Sequence, residues 1–158
     1  MGWKPIVCLD FDGVIHGYQS GWKGAAVIPD APVPGAMDAI TEYLDAGFAV
    51  HIFSSRSKSI LGRIAMKRWL AKNLGKHWEE GSRSPSYAEA ECLGDAEELV
   101  RRLKFPWFKP AATITIDDRA MQFTGSWPTA ETIKAFKPWK CPPPVCTPPS
   151  STPPTKSK

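Results

Sequence analysis

The sequence lacks any apolar run long enough to span a bilayer, and it contains only four cysteines in 158 residues. The first absence argues against a transmembrane helix, which needs about 20 consecutive apolar residues. The opening stretch MGWKPIVCLD also lacks the charged and then apolar plan of a signal peptide. We therefore expect a cytoplasmic protein that has no membrane partner.

The four cysteines do not suggest a disulfide framework. Cys8 lies in the first apolar run, Cys92 in a predicted helix, and Cys141 and Cys146 in a proline-rich stretch. No histidine or further cysteine lies near the last pair, so a zinc site there would be incomplete. This usage of cysteine is typical of a protein from a reducing compartment.

The sequence also lacks a large excess of either positive or negative charge. The chain has 20 Lys and Arg residues against 16 Asp and Glu residues, which leaves a formal net charge of +4. Such an excess permits an anionic partner, such as a phosphorylated metabolite or a nucleic acid, without selecting one. Residues 141–158 are rich in Pro, Ser and Thr and cannot bury enough apolar surface to offset the entropy of ordering. We therefore expect one folded domain over residues 1–140 and a disordered tail over residues 141–158.

Three continuous apolar runs rich in β-branched residues are present at 5–9 (PIVCL), 48–53 (FAVHIF) and 112–116 (ATITI). Runs of this kind are typical of strands that are buried on both faces of a parallel sheet. Each run ends in polar residues. The three runs therefore predict three parallel strands.

Amphipathic segments separate these strands. Residues 34–47 place apolar side chains at helical spacing and end at a glycine, and residues 59–75 repeat the pattern with Ile60, Leu61, Ile64, Trp69 and Leu70. A capping box, Ser86-x-x-Glu89, predicts a third helix that carries Leu93, Leu99, Val100 and Leu103. The alternation of strands and helices predicts an α/β fold, a three-layer Rossmann-like parallel sheet with helices on both faces.

The stretch between the first strand and the first helix does not follow this alternation. Residues 14–18 and 25–28 are short extended pieces joined by the glycine-rich sequence SGWKG, which predicts a flap hairpin after the first strand. No insertion is long enough to form a large cap domain. No clear apolar strand lies between residues 75 and 90, so we expect a small sheet and an open site.

Charged and hydroxyl side chains follow each predicted strand. They are Asp10 and Asp12 after the first strand, Ser54, Ser55 and Arg56 after the second, and Asp117, Asp118 and Arg119 after the third. The carboxyl ends of parallel strands meet at one edge of the sheet, where ligands bind. Four carboxylates so close together repel one another unless a cation neutralises them. A hard divalent ion with oxygen ligands, Mg²⁺, meets that need.

Each of these features by itself has a simpler interpretation. Asp-x-Asp is common in turns, Ser before Arg is usually a helix cap beside a surface charge, and paired aspartates also occur in solvated loops. Their occurrence at three successive strand ends favours one common site.

In this order of motifs the sequence resembles the haloacid dehalogenase-like hydrolases, most of which are Mg²⁺-dependent phosphatases. The resemblance covers roughly residues 5–128 and rests on LDFDGV, HIFSSR and ITIDDR. It implies that Asp10 is the nucleophile, that Asp12 is the general acid and base, and that Ser54 binds the phosphoryl group. It also implies a metal site formed by Asp10, Asp12, Asp117 and Asp118.

The family's third motif is a lysine, and two residues compete for it. Lys109 stands in a Lys-Pro pair just before the last strand, and Lys104 lies near a predicted helix end. We favour Lys109. The resemblance then predicts a Mg²⁺-dependent phosphomonoester hydrolase that forms an aspartyl phosphate, and the predicted substrate-binding residues are Ser54, Ser55, Arg56, Lys109, Arg119 and His16.

Two other interpretations stay open. A receiver domain of a signalling relay uses similar groups, but its phosphorylated aspartate follows a middle strand, where this chain has Ser54. A catalytically weak member of the same family could instead bind a nucleic acid or a protein through the basic segment GRIAMKRWLAKNLGK. The sequence does not select among a nucleotide, a polynucleotide end, a sugar phosphate and a phosphoprotein as the substrate, nor an oligomeric state.

Overall fold

The structure is a computed structural model that describes residues 4–81 and 89–140, without the side chains of residues 89–93. Its elements are β1 (Ile6–Leu9), α1 (Ala36–Asp45), β2 (Ala49–Ile52), a 3₁₀ turn (Ser55–Lys58), α2 (Ile60–Gly81), α3 (Glu89–Arg102), β3 (Ile114–Ile116) and α4 (Ala130–Ala135). The predicted tail and the predicted capping box at Ser86 lie outside the described residues. The three predicted strands are confirmed, each with slightly shorter bounds.

The strands form one small parallel sheet in the order β2-β1-β3. Val7 of β1 lies beside Val50 of β2 on one side and beside Ile114 of β3 on the other. This arrangement makes β1 the central strand, so the residues that follow it lie between the ends of both neighbours. The fold is α/β with a three-stranded open sheet in the described part of the chain.

The hydrophobic core lies on one face of β1 and β2. Val7 and Leu9 share this face with Val50 and Ile52 because alternate residues of a strand point the same way. These four residues belong to one buried cluster with side chains from all three long helices, including Met37, Ile40, Leu44, Met66, Leu70, Leu74, Ala96, Leu99 and Val100. The core residues Leu99, Val100 and Leu103 were predicted from the helical pattern.

Helix α2 differs from its prediction in length and in its buried face. It continues through the predicted stop at Gly75 as far as Gly81, and Met66, Leu70 and Leu74 form its buried row. Ile60 and Leu61, which the sequence pattern assigned to the core, are about two thirds exposed, at 65% and 66%. The i, i+4 spacing of the buried row brings a different side of the helix to the core.

The predicted flap hairpin is wrong in its pairing. Ile15 and Gly17 pair instead with Ala31 and Val33, through the bonds Gly17 N to Ala31 O (2.9 Å) and Val33 N to Ile15 O (2.8 Å). We call residues 18–30, the loop between these two short pieces, the flap. The carbonyl groups of Gly24, Ala25 and Val27 accept hydrogen bonds from the Arg56 guanidinium group instead.

The two sheet edges differ. Lys104 adds one residue of pairing outside β2, since its N–H donates to Val50 O (3.0 Å) and its carbonyl accepts from Ile52 N (2.8 Å). On β3, Ile114 is 56% exposed although it lies level with buried Val7.

Among the helices at residues 4–81 and 89–140, none combines the length and the apolar character that a membrane crossing requires.

Candidate active site

Three carboxylates converge at the carboxyl ends of β1 and β3. Asp10 follows β1 directly, and its backbone N–H donates to Ile116 O (2.9 Å), which extends the pairing of the two strands by one residue. Asp117 and Asp118 follow β3. One oxygen from each of the three side chains lies within 4.8 Å of the others, as the sequence predicted for these three aspartates.

Asp10 is strained electrostatically by this placement. Burial, reinforced by the neighbouring charges of Asp117, Asp118 and Asp12, raises the pKa of Asp10 from 3.8 to about 7. A hydrogen bond from Phe11 N to Asp10 Oδ1 (2.8 Å) opposes the shift without cancelling it. The groups around Asp10 therefore do not supply enough positive charge to offset its burial and the neighbouring carboxylates.

Asp118 offers a carboxylate oxygen that could bind a cation. Its side chain is 4% exposed and its Oδ2 lies 3.7 Å from Arg119 Nε. Its other oxygen, Oδ1, is buried and accepts no hydrogen bond from any described residue. Burial raises the pKa of this carboxyl group. An unsatisfied carboxylate oxygen beside two further carboxylates fits a hard divalent cation such as Mg²⁺.

The absence of a side chain at Gly13 leaves space for the Asp118 carboxylate. Its φ of +96° is a conformation that side chains with a Cβ rarely adopt. A Cβ built at this position would lie 2.8 Å from Asp118 Oδ2. The glycine after the two aspartates of LDFDGV therefore both turns the chain and leaves space for the third carboxylate.

The Asp12 carboxylate is not one of this group. It accepts hydrogen bonds from Arg56 Nε at 2.9 and 3.0 Å, from His16 at 2.9 Å and from Ser54 Oγ at 3.4 Å. Burial alone would raise the pKa of Asp12, but the hydrogen bonds from His16 and Arg56 lower it overall. Asp12 was also predicted to be a metal ligand, and it is not among the three carboxylates whose oxygens lie within 4.8 Å of one another.

His16 is buried and both of its ring nitrogens have partners. Nε2 accepts the backbone N–H of Asp30 at 3.0 Å, so the proton of the neutral ring lies on Nδ1. Nδ1 then donates to Asp12 Oδ1. His16 was predicted to bind substrate, but it does not line the cavity described below and instead orients Asp12.

Arg56 is fully buried rather than a surface charge. Besides Asp12, it binds the flap through Nη1, which donates to the carbonyl oxygens of Gly24, Ala25 and Val27 at 2.8 to 3.0 Å. Trp22 of the flap lies over the guanidinium, 4.8 Å from its carbon atom. Arg56 therefore anchors the flap, and it is not among the residues that line the cavity described below, so its predicted contact with substrate stays a prediction.

Ser54 and Ser55 lie where β2 passes into the 3₁₀ turn. Ser54 begins this turn in a capping box, because its Oγ accepts the Arg56 N–H (3.3 Å) and its own N–H donates to Ser57 Oγ (3.1 Å). The turn fixes the hydroxyl of Ser54 at the carboxyl end of the sheet. Ser55 is exposed beside it.

A cavity of about 290 Å³ opens between these groups. The predicted site residues that line it are Asp10, Asp12, Ser54, Ser55, Lys109, Asp117 and Arg119. Lys104, the rival of Lys109, lies beyond β2 at the far edge of the sheet. The structure thus brings Lys109, and not Lys104, to the carboxylates.

Some cavity residues were absent from the sequence prediction. Cys8, Phe53 and Thr115 line the cavity, and Tyr18, noted there only as a flap aromatic, does so as well. Cys8 and Thr115 are register partners, and burial raises the pKa of the Cys8 thiol. Thr115 lies between the two isoleucines of β3, and a polar residue at that place is a signal that could have identified it.

The basic residues of α2 lie away from this site. Neither Lys67, Arg68, Lys72 nor Lys76 lines the cavity. Lys67 instead places its ammonium group 5.3 Å from the ring of Phe105, which follows the outer edge of β2.

No family model, curated protein or solved structure matches this chain.

Proposed function

We propose that this chain is a Mg²⁺-dependent phosphomonoester hydrolase of the haloacid dehalogenase-like type, with Asp10 as the nucleophile. The observation that carries the proposal is one cavity wall that combines the electrostatically strained Asp10 with Asp117, a lysine and a serine hydroxyl. Hydrolysis of a phosphate ester needs a nucleophile and several groups that stabilise negative charge. This wall supplies both.

The nucleophilic step follows from the placement of Asp10. A carboxylate oxygen of Asp10 attacks phosphorus, the bond to the ester oxygen breaks, and an aspartyl phosphate forms. Asp10, Asp117 and Asp118 would hold Mg²⁺, and the bound ion would supply positive charge to neutralise the carboxylates and the phosphoryl oxygens. Lys109 and the Ser54 hydroxyl stabilise the remaining charge on the transferring group.

In this proposal Asp12 is the general base. It lines the same cavity as Asp10, and its lowered pKa keeps it ionised. An ionised carboxylate suits the second half of the reaction, in which a base removes a proton from the water that hydrolyses the aspartyl phosphate. The alkoxide, which departs in the first half of the reaction, takes its proton from solvent, and Asp12 passes the proton that it removes from the attacking water to solvent.

The sheet order agrees with this proposal. A central first strand with the second and third strands on either side is the core of a Rossmann-like sheet, and its ligand site lies at the carboxyl ends of the strands. The carboxylates of Asp10, Asp117 and Asp118 occupy that position. We therefore assign the chain a reduced Rossmann-like architecture without a large cap.

Substitution of the nucleophile tests the proposal. Release of inorganic phosphate from p-nitrophenyl phosphate and from glycerol 2-phosphate is measured with Mg²⁺, and Asp10→Asn is expected to lose at least about a thousandfold in kcat because the amide cannot attack phosphorus. Asp45→Asn, an exposed substitution on α1, is the control and keeps wild-type turnover. Turnover by Asp10→Asn near that of the control would refute the mechanism. Absence of turnover in the wild type would favour the alternative of a binding module.

A further inference from the structure

A second cavity of about 340 Å³ adjoins the first on the side of the flap. Tyr18 and Arg119 line both cavities, so the two spaces share a wall. Asp118, a member of the carboxylate cluster, also faces the second cavity. A molecule that placed its phosphoryl group beside Asp10 could therefore extend into this second space.

The walls of the second cavity combine flat rings, positive charge and bare backbone. Trp139 and Tyr18 supply the rings, and Lys140 and Arg119 supply the charge. Trp139 is 51% exposed, which leaves a face of its indole free to stack. Glycines of the first turn and the flap form part of the wall, and the absence of side chains there permits a ligand to approach the backbone closely.

We propose that the second cavity binds the rest of a nucleotide substrate whose phosphomonoester is hydrolysed at Asp10, an inference that rests on the proposed function. The base stacks on Trp139 and Tyr18, and a second phosphate of the same nucleotide binds Lys140. Stacking of bases on aromatic rings contributes about 1 to 3 kcal/mol for each base. A sugar phosphate has no flat aromatic ring that could stack on Trp139 and Tyr18.

Because charged side chains line the second cavity, we expect nucleotide binding there to depend on Mg²⁺. Asp118 would repel a phosphate as long as its carboxylate is not neutralised, whereas Arg119 and Lys140 attract it. Mg²⁺ at the carboxylate cluster removes that repulsion. Nucleotide binding is therefore expected to strengthen when Mg²⁺ is added.

The first experiment compares substrates. The values of kcat/KM for adenosine 3′,5′-bisphosphate and for glycerol 2-phosphate are measured with Mg²⁺, and their ratio reports the selectivity for a nucleotide. The ratio is expected to exceed tenfold in the wild type and to fall at least tenfold in Trp139→Ala, with partial recovery in Trp139→Phe because phenylalanine can still stack. Trp127→Ala, which removes a more exposed indole (86%) outside both cavities, is the control and keeps the ratio.

The second phosphate has its own matched pair of variants. Lys140→Gln is expected to reduce the preference for adenosine 3′,5′-bisphosphate over adenosine 5′-monophosphate by about three- to tenfold, since a charge-assisted hydrogen bond is lost. Lys137→Gln changes an exposed lysine that lines neither cavity and serves as the control. A 5′-phosphorylated dinucleotide, assayed in parallel, distinguishes an oligonucleotide end from a free bisphosphate as the source of the second phosphate.

Binding without turnover separates the two proposals. Affinity of Asp10→Asn for adenosine 3′,5′-bisphosphate is measured by calorimetry with and without Mg²⁺, alone and combined with Trp139→Ala or Trp127→Ala. Turnover of glycerol 2-phosphate without nucleotide selectivity overturns the second cavity's role and leaves the phosphatase standing. Nucleotide binding that depends on Trp139, together with no turnover of any substrate by the wild type, refutes the phosphatase and retains the nucleotide site. Absence of both refutes both.

Discussion

Asp10 and Asp12 are separated by a single residue, yet their carboxylates lie in opposite electrostatic environments. Asp10 stands among other carboxylates, and its pKa is raised by burial and by its neighbours to about 7. Asp12 is held by Arg56 and His16, and its pKa is lowered. Two groups of the same type whose pKa values are moved apart are suited to different tasks in one reaction.

Substitution of Asp12 tests its role in the second half of the reaction. Asp12→Asn is expected to release one equivalent of p-nitrophenol quickly and then to turn over slowly, because the good leaving group needs no proton while the attacking water loses its base. Mass spectrometry of acid-quenched protein is expected to show one phosphate added at Asp10. Steady turnover without a burst, in protein that has folded normally, would contradict this role.

Substitution of Arg56 tests the anchor of the flap. Arg56→Lys keeps the charge but cannot bind Asp12 and the three flap carbonyls together, so the free energy of unfolding is expected to fall by about 2 to 4 kcal/mol. Urea denaturation measures the loss, and limited proteolysis is expected to cut the flap sooner. Arg101→Lys, an exposed residue of α3, should change the free energy by less than about 0.5 kcal/mol. Equal effects of the two substitutions would show that the buried contacts do not stabilise the flap.

At the level of the elements, the turn after β1 links the backbone to the cation site. Gly13→Ala is expected to displace Asp118 as well as to strain the backbone, whereas Gly35→Ala meets the same kind of positive φ, +81°, with no atom within 4 Å of the new Cβ. The backbone strain common to both substitutions destabilises by about 1 kcal/mol. Only Gly13→Ala is therefore expected to lose the rise in melting temperature on addition of Mg²⁺. An unchanged response to Mg²⁺ in Gly13→Ala would remove Asp118 from the cation site.

The strands, the three long helices and the three converging aspartates could be predicted because their patterns are local, whereas the short helix α4 was not predicted. Apolar runs mark the strands, and each acidic pair directly follows one, so the parallel sheet brings Asp10 and Asp117 together. The buried role of Arg56 could not be predicted, since it depends on flap carbonyls that are far away in the sequence. The exposed positions of Ile60 and Leu61 were missed because the sequence pattern does not show which side of a long helix meets the core.

Across the whole molecule, the carboxylate cluster predicts how stability depends on pH when no divalent cation is present. Between about pH 4 and 7 the folded chain keeps a proton on Asp10 that the unfolded chain has released, so stability falls as the pH rises. Asp12 acts in the opposite sense, and its stabilisation is lost only as the pH falls below the ordinary value of 3.8. The cation-free protein is therefore expected to be most stable in mildly acidic solution.

Urea denaturation in EDTA at pH 5 and pH 8 measures this dependence. The free energy of unfolding is expected to be about 1 kcal/mol lower at pH 8, because roughly 2.6 kcal/mol of the full effect of the shift at Asp10 falls between pH 5 and pH 8 and solvent screening halves it. Asp10→Asn should remove most of the difference, and Mg²⁺ should stabilise the wild type more at pH 8 than at pH 5. Equal stability at both pH values in EDTA would contradict the strained state of Asp10.

The central place of β1 decides when the molecule acquires its site during synthesis on the ribosome. β1 is made first, but its edge toward β3 gains a partner only after residues 114–116 have emerged. Asp10 meets Asp117 and Asp118 through that last pairing alone, and pairing between such distant segments forms slowly. The three carboxylates therefore come together only after β3 has been made, and under the proposed function Mg²⁺ would bind the folded domain rather than a partly made chain.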